Sequence, residues 1–181
     1  LAIVISQYLP QTVFGQFNGI TTYTIDSAFL PDFANKLLAI DTYNNCYYFS
    51  FYKRLVMTNP NTKTFVVMDS TSTGMHSNNL NHLVVDGKQN LWVSTKDKGA
   101  FRYDGNTWIN YNTANAPLLS NNIIYIATND TSVWFCDMNG VAILHNNTWT
   151  RWSTNNTGMA TNSLSSIAFG NSGTIWFGSN K

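Results

Sequence analysis

Three tryptophans stand at equal intervals along this chain. Trp92, Trp134 and Trp176 are separated by two steps of 42 residues, and each closes an apolar pair: Leu91-Trp92, Val133-Trp134 and Ile175-Trp176. A second series, Trp108 and Trp149, keeps nearly the same interval, 41 residues. Chance supplies one such spacing easily; two equal steps and a parallel series point to a repeat. A period of ~40–45 residues with four short strands per unit is the signature of a propeller blade. A sheet that small cannot bury both its faces alone, so successive sheets must stack.

The unit is clearest between Ser77 and Thr113. Its strands are expected at Asn81–Val85, Leu91–Thr95, Ala100–Tyr103 and Thr107–Tyr111, all rich in β-branched and aromatic residues. The second run is apolar on both sides of its Trp, which marks a strand covered on two faces. Asp104-Gly105 and Asn146-Asn147 fall at the same phase of successive units. Both pairs predict a tight hairpin, since a type I′ turn needs positive φ at two central residues. The fold class that follows is all-β: a β-propeller, or a segment of one, built of four-stranded antiparallel blades.

On this period the chain divides into a partial blade at 1–35, blades at 36–76, 77–119 and 120–162, and a partial blade at 163–181. In the first part, strands are expected at Ala2–Ser6, Val13–Gly19 and Thr21–Thr24. The blade at 36–76 is degenerate, with strands at Leu37–Ile40, Cys46–Ser50, Arg54–Met57 and Phe65–Met68, and Tyr48 where Trp92 would stand. The next offers Ile123–Ala127, Val133–Cys136, Val141–Leu144 and Thr148–Trp152. The last offers Leu164–Phe169 and Thr174–Phe177. Two organisations fit these partial ends. The ends share one blade of a closed four-bladed ring, or the chain is a segment of a larger ring; the second is preferred.

Composition excludes several classes. Charged residues make up only 10% of the 181 and the net charge is +1. A nucleic-acid partner would need a clustered basic face, so none is expected. The 44% hydrophobic content excludes disorder. No run approaches the ~20 apolar residues of a membrane helix. Asn, Ser and Thr fill the polar positions, which suits an extracytoplasmic location. Cys46 and Cys136 fall in second strands two repeats apart, beyond the reach of a disulfide. Both are expected to be free and buried.

No catalytic constellation emerges. His76, His82 and His145 are not at metal-ligand spacing with one another or with a Cys. The carboxylates are scattered, and there is no phosphate loop or nucleophile elbow. The chain is therefore expected not to be an enzyme and to need no cofactor or metal. Binding fits better. In a propeller, ligands sit among the loops between blades and between second and third strands. The candidate ligand-binding residues there are His76, Asn78, Lys96, Asp97, Asn121, Asp137 and Asn162. Loops carry such residues for turn geometry as well.

The unit also resembles the repeat of bacterial two-component regulator propellers. Leu119-Ser120-Asn121 matches the start of that repeat. Leu91-Trp92-Val93-Ser94-Thr95 and Ile175-Trp176-Phe177-Gly178-Ser179 match its middle, and Phe101-Arg102-Tyr103-Asp104-Gly105 matches its turn. The resemblance runs from Ser77 to Lys181 and fades before it. It implies a larger ring, often seven-bladed, in the extracytoplasmic region of a bacterial sensor. Its ligand would be a glycan or a surface protein. Related repeats also serve adhesion or assembly on secreted and surface-displayed proteins, and more rarely glycan-active enzymes.

Overall fold

The structure is a computed structural model; it describes residues 33–43, 45–50, 55–59, 62, 64–68, 75, 77, 79–129 and 131–179. The strands expected at Ala2–Ser6, Val13–Gly19 and Thr21–Thr24 lie outside these. The described residues are all-β, with no helix long and apolar enough to cross a membrane. The chain splits into two compact units, Leu1–Val67 and Met68–Lys181.

The first unit holds β1 (Phe33–Ile40), β2 (Cys46–Ser50), β3 (Leu55–Asn59) and nearly all of β4 (Thr64–Met68), paired in that order as one antiparallel sheet. The turn from β1 to β2 is built on one carboxylate. Asp41 Oδ1 accepts the amides of Tyr43 and Asn45, both at 2.9 Å, and Oδ2 accepts Asn45 Nδ2 at 2.7 Å and the Tyr47 hydroxyl at 3.0 Å. Tyr47, not Tyr48, therefore occupies the position of Trp92. The register agrees: Ala39 faces Tyr47 as Val84 faces Trp92. The spacing between aromatics alone does not choose between the two adjacent tyrosines.

The second unit repeats the plan. It contains the sheets β5 (Leu80–Val85), β6 (Leu91–Thr95), β7 (Ala100–Tyr103), β8 (Trp108–Tyr111) and β9 (Tyr125–Thr128), β10 (Ser132–Asp137), β11 (Gly140–His145), β12 (Thr148–Trp152), then the pair β13 (Leu164–Phe169), β14 (Ile175–Ser179). Each sheet is a simple meander, so β6–β7 and β10–β11 turn at one end and the first and last hairpins of each blade turn at the other. β6 and β10 are buried along their whole lengths, as two-sided strands must be.

The tryptophans seal the seams between sheets. Trp92 lies edge-on to Phe135, with centroids 5.6 Å apart, in a core that joins Ala100 to Ile126, Val133 and Ala142. Trp134 meets Trp152 at 5.2 Å and Phe169 at 5.6 Å in the next seam. Trp176 completes the series in sequence but is 67% exposed. Polar groups lock the first seam too. Asn81 Nδ2 donates to the carbonyls of Ile123 and Ile124, and Ile123 N donates to Thr95 O at 2.9 Å. This explains why β9 begins at Tyr125 and not at Ile123: the Ile123 amide serves the neighbouring sheet.

Turn chemistry was right in one hairpin of two. Asn146 and Asn147 have φ of 46° and 63°, the type I′ geometry. In the other, only Gly105 has positive φ. Asp104 instead caps a longer loop, accepting the amides of Asn106 and Thr107 at 3.0 and 2.8 Å. Gly99 matters more than either. Its φ is 79°, and a Cβ there would collide with the Tyr111 carbonyl.

Cys136 is fully buried and free in β10. Burial first, and the Asp137 charge second, push its thiol up to about 12. Cys46 heads β2, in the second strand as expected.

Two outcomes follow. Gly99→Ala should destabilise the chain by roughly 2–4 kcal/mol in denaturant unfolding, since strain and collision combine; a loss below ~1 kcal/mol would contradict the close approach. Cys136 should ignore a disulfide reagent in the native state at pH 8 and react on unfolding. Its unfolded thiol ionises near 9.0. The folded chain thus keeps a proton that the unfolded chain loses, and stability should fall as pH rises from 9.0 towards 12.

Candidate functional site

The loops at the β6–β7 end carry the residues singled out from sequence, and most of their polar atoms are engaged. The Asp97 carboxylate accepts Ser77 Oγ at 2.8 Å and Asn79 Nδ2 at 3.0 Å, while Ser77 Oγ accepts the Asn79 amide. This ties the incoming connection to the β6–β7 loop. Lys96 lies beside it: its amide donates to Asn79 O, and its side chain is exposed. Asn121 closes the next connection. Its Oδ1 accepts the Thr113 amide at 2.8 Å, and its carbonyl accepts Gly99 N at 2.8 Å. Asn162, 41 positions later, accepts the Thr154 amide at 2.7 Å. The two asparagines are equivalent turn caps in successive units. His76 and Asn78 lie outside the described residues.

The structure thus brings Lys96, Asp97 and Asn121 to one loop cluster around the β6–β7 turn. Asp137 caps the corresponding turn of the next sheet, and Asn162 belongs to the connection after that.

Asp137 is the unusual member. It ends β10 where Thr95 ends β6. Thr95 Oγ1 accepts Lys98 N and donates to Gly99 O, both at 2.9 Å. Asp137 does the same capping with a carboxylate, accepting the amides of Asn139, at 2.6 Å, and Gly140. It is only 2% exposed. Burial raises its pKa to about 6 against these two amides, which pull it down.

The two described histidines, His82 and His145, are structural. His82 packs against Tyr125 across the first seam, the rings tilted by 35° with centroids 4.0 Å apart, and burial lowers its pKa. His145 is held at Nδ1 by Ser132 Oγ, 2.8 Å away, and at Nε2 by Asn146. Among the described residues no group of three or more His, Cys, Asp or Glu gathers at metal-binding distance.

A groove opens at the opposite end, among the first- and last-hairpin turns of the two complete sheets of the second unit. It encloses about 60 Å³ and is open on one side. Asp86, Lys88, Asn90, Arg102, Thr131 and Asn147 line its polar walls; Val133 and Leu144 lie beneath. The sequence does not display it, because its walls come from two different sheets. On the third strand Arg102 pairs with Trp92 where Ile143 pairs with Trp134.

No protein-family model matches the chain, and no curated protein sequence does. Solved structures do. The extracellular domain described as that of the hybrid two component system BT3049 from B. thetaiotaomicron aligns with a TM-score of 0.64 at 15% identity, over 81% of this chain and 22% of its own. A second such domain, of BT4673 from the same organism, gives 0.58 at 19% over 78% of this chain and 18% of its own. PorZ, a bacterial surface component of the type-IX secretion system of Porphyromonas gingivalis, gives 0.51 at 13% over 80% of this chain and 31% of its own. The chain spans about a fifth of the length of the first two. The likeness is one of fold, and that fold is the β-propeller.

Asp137 supplies a pH test. Its folded pKa lies near 6 and its ordinary value is 3.8. Between the two the folded chain holds a proton that the unfolded chain has released, so stability falls as pH rises from 3.8 to about 6. Asp137→Asn keeps an acceptor for the two amides and removes the charge. It should raise the melting temperature by a few degrees at pH 8 and lose that advantage below pH 4. Equal melting of both proteins at pH 8 would show that the carboxylate costs nothing.

Proposed function

We propose that the chain is part of an extracytoplasmic β-propeller that binds a ligand or protein partner, without transforming it, in a bacterial sensor. The observation that carries this is the state of the loop face. Asp97, Asn121 and Asn162, the residues best placed for chemistry, are spent on holding the loops in shape. What remains is a fixed polar platform with the exposed Lys96 beside it, suited to recognition through hydrogen bonds. The likeness to extracellular domains of hybrid two-component systems supports the sensor role, and the repeat motifs around Trp92 and Trp176 support the same family. On this reading the partner is a glycan or a surface protein, and the chain works within a larger ring.

A second reading has its own support. The likeness to PorZ favours a surface-displayed propeller that serves assembly. The two readings separate on a glycan array probed with the full-length protein containing this chain. Binding that weakens in Lys96→Ala and Asp97→Ala is the outcome expected of a sensor. Silence on the array, with stable co-purification of other surface proteins, would favour assembly. Release of a chemically altered glycan would overturn both.

A further inference from the structure

We propose that His82 makes the seam between the sheets β5–β8 and β9–β12 an acid-sensitive joint, which loosens when the ring takes up a proton and frees the loops tied across it.

The repeat isolates the residue. On the first strand, two positions before the partner of the second-strand Trp, stand His82 in β5, Tyr125 in β9 and Ser166 in β13. Of these three residue types only histidine ordinarily changes charge between pH ~5 and ~8. The His82 ring lies against Tyr125 of the neighbouring sheet, with centroids 4.0 Å apart. A proton taken up there puts a charge into the joint between two sheets.

The ring's hydrogen bonds are half made. Burial disfavours the charged ring, and a bond to the Ile126 backbone across the seam favours it less strongly. Nδ1 is buried with no partner, so that bond belongs to Nε2. Ser94 Oγ is taken up by the His82 backbone, whose amide it accepts at 3.0 Å. In the neutral ring Nδ1 is a bare acceptor. In the charged ring it becomes a bare donor on a cation, the costlier of the two. The surroundings do not offset that cost. β6 and β9 pack against β5; β5 and β6 carry no other titratable side chain, and β9 carries only Tyr125, paired with Cys136 of β10. Asp86 and Asp97 stand in the turns beyond the strand ends, engaged by Asn90 and Trp92 and by Ser77 and Asn79, and Lys96 beside Asp97 has the wrong sign. The tilted Tyr125 ring attracts a cation but gives Nδ1 no acceptor.

The joint leads to the loop face. Asn81, next to His82, donates to the carbonyls of Ile123 and Ile124. Ile123 N donates to Thr95 O at 2.9 Å and Gly99 N to Asn121 O at 2.8 Å. A seam that opens at His82 breaks these ties and frees the loops that carry Lys96, Asp97 and Asn121. The direction with pH follows from burial. An opened His82 ionises near 6.5, and the closed seam holds its pKa below that. The opened form therefore binds the proton first, and the seam weakens as pH falls through 6.5. Protonation of histidines at interfaces is a known way to build a pH switch. The joint does not rest on the ligand reading above and stands or falls whatever the loop face binds.

Amide hydrogen exchange of the full chain at about pH 7.5 and about pH 5.5, corrected for intrinsic rates, tests this. The amides to read are Gly99 and Ile123, which cross the seam, with those that pair β10 to β11 as the reference inside one sheet. His82→Phe keeps a ring against Tyr125 and cannot titrate. His82→Gln cannot titrate either and keeps a polar side chain, which guards against a packing defect in the first variant. Acidification should lower the protection of Gly99 and Ile123, relative to the reference, at least roughly threefold more in the parent than in either variant. Asp137 titrates in the same window with the opposite sign, but it is common to all three proteins and cancels in the comparison. An acid response no larger in the parent than in the variants, or one shared equally by the reference amides, would overturn the proposal.

Discussion

An indole ring held between two sheets is the interaction on which the rest of this chain depends. Burying one Trp removes some 150–250 Å² from water, worth about 4–6 kcal/mol before entropy is counted. A hydrogen bond contributes about 1 kcal/mol net. The difference shows in how the two buried tryptophans are treated. Trp92 donates to Asp86, whereas Trp134 Nε1 is buried without an acceptor, and both rings stay in place. Area holds the ring; the hydrogen bond orients it. Where a seam is sealed by rings, the strands around it are free to be short.

That division of labour leaves the polar residues for the ends of the blades. Asp41, Asp86, Asp97, Asp104 and Asp137 each gather the donors of a turn around one carboxylate. Asn121 and Asn162 each stop one connection. With charged residues scarce, a polar chain of this kind builds its loops from side-chain to backbone bonds and scarcely from ion pairs.

The sequence was most informative where a side chain and a turn agreed. Leu91–Thr95, Ala100–Tyr103, Thr148–Trp152 and Leu164–Phe169 are strands with the bounds that pattern alone suggests. It was less informative where two neighbours had equal claims, as Tyr47 and Tyr48 did. The interval from Asp to aromatic, six residues in both Asp41–Tyr47 and Asp86–Trp92, would have separated them. Candidate site residues were harder still. Asn121 and Asn162 lie in connecting loops, and loops need asparagine for their own backbone. The groove depends on side chains from two sheets meeting, which no single repeat displays.

The Asp86–Trp92 clamp has a consequence for the order of events as the chain leaves the ribosome. Both partners belong to one hairpin and lie six residues apart. Closing so short a loop takes well under a microsecond and costs little chain entropy. The ring is thus anchored to its own turn before the sheet that will cover it exists. The blade that carries this clamp emerges with its aromatic already aimed, and the following sheet docks onto a surface prepared for it.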